Sequence, residues 1–551
     1  MTTRCLLCAS AILALPLLQP HVAAQSPPAL TIVSAGPSGE TSALEQANEI
    51  RAVFSEPMVV LGRIPQPVMA PFFRITPAVA GTFRWSGTTI LIFTPDPRRK
   101  LPHATRFDVT VDVSATAVSG RRLAVPYTFT FTTPTVKLLA ANWYRKSKRY
   151  DSPMVIALRF NQPVRATDVA AHATLRFEKR DWEPPEISAH ARARLNAIEP
   201  QALARFSAKV EAARRAASAT GGVSFVVATD WDTVKFPRSP DLVVLEATTA
   251  VPPESRVRVA IDQRTPGLEG REVPAGPQSF ALNVEPTFFI RGFRCGAECD
   301  PDRWNPLSFS RDVETASVQK AMTVTDITDP KQEKRVAPTR TITRRDGGYY
   351  PSVTSLEDVG FARQPPARTY AVRLDPGLQS ADDGQTLGYT WLGIVDNWHA
   401  RAFSSFGDGH GVWESSGGLR LPFSSRNLQD VTEWAVPIAP SQLMPRIQDL
   451  ENRNFRSIPP GAGFRRSLRF QPDRIEAHGL DLSRAMTQGA RTGLIWAGVR
   501  EGQPMARSKA TSDTRERSTI VQVTNLGVHV KDSNQNSLVF VSRLDNGAPV
   551  A

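Results

Sequence analysis

IRAVFSEPMVVL, residues 50–61, reads as an alternating strand through Ile50, Ala52 and Phe54 that runs into a Ser-Glu-Pro turn and leaves through Met58 and Val59. The same cadence returns in VIALRFNQPV (155–164) and in LSFSRDV (307–313), where Asp312 stands in place of the proline. Each copy has a downstream partner: LPHATRFDVTV (101–111), PPESRVRVAI (252–261) and PARTYAVRL (366–374). A glycine turn and an aliphatic residue follow each partner, in SGRRL (119–123), EGREV (269–273) and DGQTL (383–387). In the first two copies a closing strand comes next, at 127–132 and 278–284. A period near a hundred residues is too long for a solenoid and suits one β-sandwich per repeat. The chain reads as an all-β array of tandem Ig-like sandwiches.

The length of 551 residues calls for several domains, and 45 prolines favour strands and turns over long helices. The first 24 residues have the form of a secretory signal: Arg4, an apolar run over 5–18, and Val22-Ala23-Ala24 before a cleavage expected between Ala24 and Gln25. That run is shorter than the roughly 20 residues that span a bilayer, and no cysteine stands at the cleavage point to carry a lipid. The mature chain is expected to be periplasmic or extracellular, with no membrane span.

Cys5 and Cys8 fall in the signal, which leaves Cys295 and Cys299 in RCGAECD (294–300). In an oxidising compartment a lone close pair reads as a small-loop disulfide, which the turn at Gly296 permits. The competing reading, a metal site, needs further ligands, and no histidine is near. The formal charge of +13 raises the question of nucleic acid, but the basic residues are spread along the chain and the one compact run is RKSKR (145–149). A solvated basic surface accounts for that distribution, with an anionic envelope surface as the one electrostatic partner left open and no nucleic acid expected.

The boundaries expected from these signals are a first sandwich over 31–135, a second over 136–286, a third over 287–397, a fourth unit over 398–518 that departs from the repeat, and a new strand set over 519–551. Residues 183–220 interrupt the second unit. There Leu195, Ile198, Leu203, Phe206 and Val210 recur at helical spacing and Pro200 marks the start of a second helix. This helical hairpin is expected to lie on the outside of a sandwich, the alternative being a partner-binding arm. The polar stretch 502–517 reads as a flexible loop or a linker, and 519–551 supplies too few strands to close a sandwich.

Residues for catalysis are scarce. No phosphate-binding loop, nucleophile elbow or zinc-protease helix occurs. Ser317 and Lys320 match a Ser-x-x-Lys pattern without its partner motifs, and Asp408-Gly-His410 sits among glycines as a turn does. No catalytic, cofactor-binding or metal residue is expected, and the chain is not expected to be an enzyme.

The runs FSEPM (54–58), FRWSGT (83–88), LPHAT (101–105) and FTFTT (129–133) resemble the leading Ig-like modules of bacterial alpha-2-macroglobulin-like proteins. VTNLGVHVK (523–531), LVFV (538–541) and NGAPV (546–550) resemble the start of one of that family's macroglobulin domains, and 398–518 is then a macroglobulin-like β domain. The resemblance implies an exported protease trap, in which cleavage of a bait region triggers a rearrangement and an internal Cys-x-x-Gln thioester captures the protease. Proteases are the partners it implies for a full-length member. Here CGAE (295–298) imitates the thioester start but carries Glu298 where glutamine is needed, and no bait or thioester region is legible. The expectation is the N-terminal scaffold of such an inhibitor. The alternative is a stand-alone envelope adhesion or scaffolding protein, and the reading frame beyond Ala551 discriminates between them.

Overall fold

Strands that alternate apolar and polar side chains can bury only one face, so they stack as paired sheets around a shared core. The computed structural model describes residues 29–62, 67–296, 298–343, 351–407, 411–487, 489–509 and 515–550. The expected signal, its cleavage site at Ala24 and Gln25, and the turn at 408–410 lie outside the described residues. The first sandwich pairs one sheet in the order Ile32–Gly36, Ile50–Phe54, Ile90–Pro95, Gly81–Ser86 with another in the order Gly39–Glu40, Tyr127–Thr132, Arg106–Val111, Phe73–Thr76. Phe54, Phe107 and Phe131 fill the space between them, and the last two rings stack with centroids 5.1 Å apart.

The second and third sandwiches repeat this plan. In every case the opening strand pairs antiparallel with the quoted strand: Ile32–Gly36 with Ile50–Phe54, Leu138–Arg145 with Met154–Phe160, and Ile290–Phe293 with Leu307–Phe309. Arg106–Val111, Arg256–Ile261 and Thr369–Leu374 each lie beside a closing strand in the facing sheet. The third closing strand is Trp391–Asn397, whose continuous apolar run hid the alternation that marks the first two.

The repeat also explains how one sandwich is joined to the next. The turn before each central strand holds a non-glycine residue at positive φ: Ala104 (49°), Glu254 (71°) and Ala367 (56°). That backbone turns its N–H outward onto the linker, where Ala104 donates to the Pro134 carbonyl at 3.0 Å, Glu254 to Glu285 at 2.8 Å and Ala367 to Trp398 at 3.0 Å. At the first junction the Ala104 carbonyl in turn accepts from the N–H groups of Arg271 and Glu272, both at 2.9 Å. Gly270 (φ +63°) makes that approach possible, since a Cβ there would stand 2.1 Å from the Ala104 oxygen.

Two expectations are corrected. The fourth unit does not depart from the repeat. Phe403–Ser405, Arg420–Arg426 and Glu476–Asp481 face a sheet ordered Gly411–Glu414, Glu516–Thr524, Gly493–Glu501, Asp430–Pro437, Phe464–Ser467. Nor does a new unit begin at 519, because Glu516–Thr524 is this sandwich's own closing strand. It pairs with Gly493–Glu501 from Arg500↔Glu516 to Gly493↔Val523, and Ile520, Val521 and Val523 are buried. Of the two readings of the polar stretch, the loop holds: residues 502–515 connect two neighbouring strands of one sheet, with 510–514 outside the described residues.

The insertion forms helices Ala189–Ile198 and Pro200–Ala217, with Pro200 in the first turn of the second and Ser188 accepting from the Ala191 N–H at 3.3 Å. Although it interrupts the second sandwich, its apolar face joins the third core: Leu195, Phe206 and Val210 pack with Phe289 and Tyr389. The Phe206 ring stands edge-on to Tyr389 at 5.0 Å and to Phe289 at 6.2 Å. Lys209 follows it in, donating to the carbonyls of Thr386 at 2.7 Å and Leu387 at 2.8 Å, and burial pushes its ammonium down to about 8. Truncating a buried phenylalanine costs about 3–5 kcal/mol. Phe206→Ala is therefore expected to lower the unfolding free energy of the third sandwich by an amount of that order, read as a lower urea midpoint for hydrogen-exchange protection of Thr369–Leu374.

Candidate functional site

With little to suggest chemistry, the features that stand out are surfaces: the passage from the third sandwich to the fourth, and the strand pair after the fourth. Cys295 and Cys299 are joined as a disulfide with 5.1 Å between their α-carbons. Cys299 is fully buried in the third core, while Cys295 packs against it half-buried. The bond ties the turn after Ile290–Phe293, in one sheet, to the two-residue strand Glu298–Cys299 at the edge of the other, which runs parallel to Asp396 and Asn397. The linker emerges there. Its Trp398 N–H donates to the Cys299 carbonyl at 2.9 Å.

Asp300 and Asp302 directly follow the disulfide and reach into the fourth unit. Asp302 Oδ2 accepts from the Arg401 N–H at 2.7 Å and from Arg426 Nη2 at 2.6 Å, and the Asp300 carboxylate pairs with the Arg401 guanidinium. From the other side Asp473 closes on the same linker. Its Oδ1 accepts from the Ala400 N–H at 2.7 Å and from Asn427 Nδ2 at 3.0 Å, and its Oδ2 lies 2.8 Å from His399 Nδ1. None of these partners was legible from sequence. They lie 46 to 124 positions apart, and the only local signal was the Asp-Pro-Asp run after Cys299.

Beyond Thr524, Leu526–Asp532 and Ser537–Arg543 form a hairpin that pairs with no other sheet among the described residues. Its register places Leu526, Val528, Val530, Val539 and Val541 on one face. That face is open: Val528 is 62% and Val530 64% exposed. In each of the four sandwiches the opening strand pairs antiparallel with a central strand, directly in the second and across a short strand of the facing sheet in the other three, and there the second sheet covers the apolar side.

The other residues singled out from sequence have quieter roles. Ser317 donates to Glu314 Oε2 at 2.7 Å in the first turn of Thr315–Ala321. The basic run is largely engaged, with Arg145 Nε on buried Glu285 at 2.9 Å, Lys146 on Glu246 at 2.6 Å and Arg149 on Asp151 at 3.1 Å. Among the described residues no cluster of three or more His, Cys, Asp or Glu side chains is placed to hold a metal, and no helix is long and apolar enough to cross a membrane.

Residues 25–133 match the family described as bacterial Ig-like domain. No curated protein matches this chain. Among solved structures, the chain is similar to native alpha-2-macroglobulin from Escherichia coli spanning domains MG0-NIE-MG1, at 14% identity and TM-score 0.24, over 48% of this chain and 80% of that one. It is also similar to E. coli alpha-2-macroglobulin in its native conformation, at 10% identity and TM-score 0.15, over 94% of this chain and 37% of that one. A third neighbour is the S-layer protein rSbsC(31-844), at 10% identity and TM-score 0.14, over 95% and 58% of the two chains. The fold is a tandem array of β-sandwiches.

Burial alone would raise the Asp473 carboxyl, but the hydrogen bonds from Asn427, His399 and the Ala400 N–H outweigh it and hold the group below the usual carboxylate range. A depressed native value means that the stabilisation is complete above the unfolded value of about 3.9 and is lost as the pH falls through the native one. Hydrogen exchange at Ala400 is therefore expected to accelerate in acid beyond its intrinsic pH dependence. Asp473→Ala should remove that excess.

Proposed function

We propose that this chain is the N-terminal scaffold of an exported bacterial alpha-2-macroglobulin-like endopeptidase inhibitor, placed in the periplasm or outside the cell by its leading 24 residues. The observation that carries the reading is the hairpin Leu526–Asp532 and Ser537–Arg543. It has the pairing that opens every sandwich of the array, it lies in the stretch that resembles the start of a macroglobulin domain, and its apolar face is bare. Covering a Val or Leu side chain contributes about 1.5–3 kcal/mol, so the exposed Leu526, Val528, Val530 and Val539 on one face favour a further sheet over solvent. The match of the first unit to a bacterial Ig-like domain supports the same reading.

In this role the four sandwiches position the parts that engage a protease and do not themselves react with it. Cys295 is bonded to Cys299 and has Glu298 at the place of the thioester glutamine, so trapping chemistry would have to come from another segment. Two outcomes are expected. The chain incorporates no methylamine and forms no covalent adduct with added proteases; a methylamine-labelled peptide would refute that. The reading frame beyond the Ala551 codon continues into macroglobulin domains and a Cys-x-x-Gln motif, and an unrelated gene in that position would favour a stand-alone envelope scaffold.

A further inference from the structure

The strip that follows the disulfide holds the fourth sandwich beside the ion pair of Asp396 with Arg507, and little else holds the strip's start. Glu298–Cys299 is a two-residue edge strand, too short to be stable alone. From it run, in four residues, the Cys299 carbonyl that accepts from Trp398, the Asp300 carboxylate on Arg401, the Pro301 carbonyl that accepts from Arg363 Nε at 2.9 Å, and the Asp302 carboxylate on Arg401 and Arg426. Arg426 Nε also donates to the Arg401 carbonyl at 2.9 Å, so the two arginines bring the linker and the strand Arg420–Arg426 to one acidic strip. The disulfide is the covalent tie between this strip and the opposite sheet. One of its sulfurs belongs to buried Cys299. The other belongs to half-buried Cys295, whose neighbours Arg294 and Gly296 are exposed.

We propose that Cys295–Cys299 is a thiol–disulfide exchange site whose state sets the grip of the third sandwich on the fourth. The co-reactant is a dithiol, either a small molecule or the reduced active site of a dithiol–disulfide oxidoreductase. One of its thiolates attacks Cys295 Sγ, the reachable sulfur. The S–S bond breaks, Cys299 leaves as a thiolate and takes up a proton, and a mixed disulfide joins Cys295 to the co-reactant. The second thiolate of the co-reactant then attacks its own sulfur in that mixed disulfide and releases Cys295, which is protonated in turn. Two electrons pass to the chain, which gains two thiols, while the dithiol becomes a disulfide. Freed from the opposite sheet, the edge strand frays, and Asp300 and Asp302 lose their fixed position against Arg401 and Arg426. The third core itself rests on Phe206, Phe289, Tyr389 and their neighbours and stays closed.

The test is hydrogen exchange with mass spectrometry on the full chain, before and after treatment with dithiothreitol under native conditions, with thiols counted by alkylation. Two thiols are expected to appear. Exchange in peptides covering 396–402 and the strand Arg420–Arg426 should become about tenfold faster, the signature of a local opening, while Thr369–Leu374 in the third core is unchanged. Asp302→Ala with the disulfide intact should loosen the same peptides. The proposal is overturned if no thiols form without denaturant, if reduction leaves 396–402 unaffected, if Thr369–Leu374 loosens to the same extent, or if Asp302→Ala has no effect there.

Discussion

A chain that passes directly from one β-sandwich to the next buries its linker, and a buried backbone group has to find a partner. In this array the same turn supplies it each time. Ala104, Glu254 and Ala367 donate to the linker carbonyls of Pro134, Glu285 and Trp398. A carboxylate takes a linker N–H at each passage as well: Glu40 from Thr135 at 3.1 Å, Glu254 from Thr287 at 2.8 Å, and Asp473 from Ala400 at 2.7 Å. Hydrogen bonds to an ionised acceptor are roughly twice as strong as neutral ones. Each linker is therefore held at both an N–H and a carbonyl, by the preceding unit alone at the first two passages and by the preceding and following units together at the third.

This arrangement explains why the repeat was legible and its consequences were not. The turn motifs LPHAT, PPES and PPAR stand out because a positive-φ residue and a proline-led turn constrain local sequence, as do the glycines at 120, 270 and 384, all at positive φ. The helical hairpin could be read from the spacing of Leu195, Phe206 and Val210 for the same local reason. What it packs on could not. An apolar helix face specifies only that it is covered, and here Phe289 and Tyr389 of the next sandwich cover it. The misplacement of a boundary at 519 has a similar origin. A charged connection between two strands of one sheet looks like a boundary between units until Arg500 is seen paired with Glu516.

The charge of the chain takes on a different meaning in this light. An excess of +13 suggests a polyanion partner, yet many arginines are occupied inside or between units. Arg145 lies buried on Glu285, Arg180 on Glu254, and Arg401 and Arg426 on Asp300 and Asp302. A guanidinium presents several donors in one plane, so a single arginine can serve a carboxylate and a backbone carbonyl together, as Arg145 does with Glu285 and the Val251 oxygen at 2.7 Å. Such a residue suits a junction where two units offer acceptors from different directions. The clamps also have a cost in exchange for position, since removing one partner strands a desolvated charge.

The same reasoning bears on the strand pair after Thr524. Every sandwich has its opening strand paired antiparallel with a central strand, and in each the apolar side of that pair is closed over by a second sheet, most of whose strands come later in sequence. The pair Leu526–Asp532 and Ser537–Arg543 is joined to the fourth sandwich almost without a linker, with the Leu526 N–H donating to Thr524 Oγ1 at 3.1 Å and the Leu544 N–H to the Asn525 carbonyl at 2.9 Å. Both bonds lie within the junction itself, and the burial pattern changes abruptly there: Val523 is fully buried, while Val528 and Val530 a few residues on are 62% and 64% exposed. Each of these side chains would gain about 1.5–3 kcal/mol from a surface that removed it from water, so the register that lines them up on one face makes that face the apolar surface of the array best suited to an apolar partner.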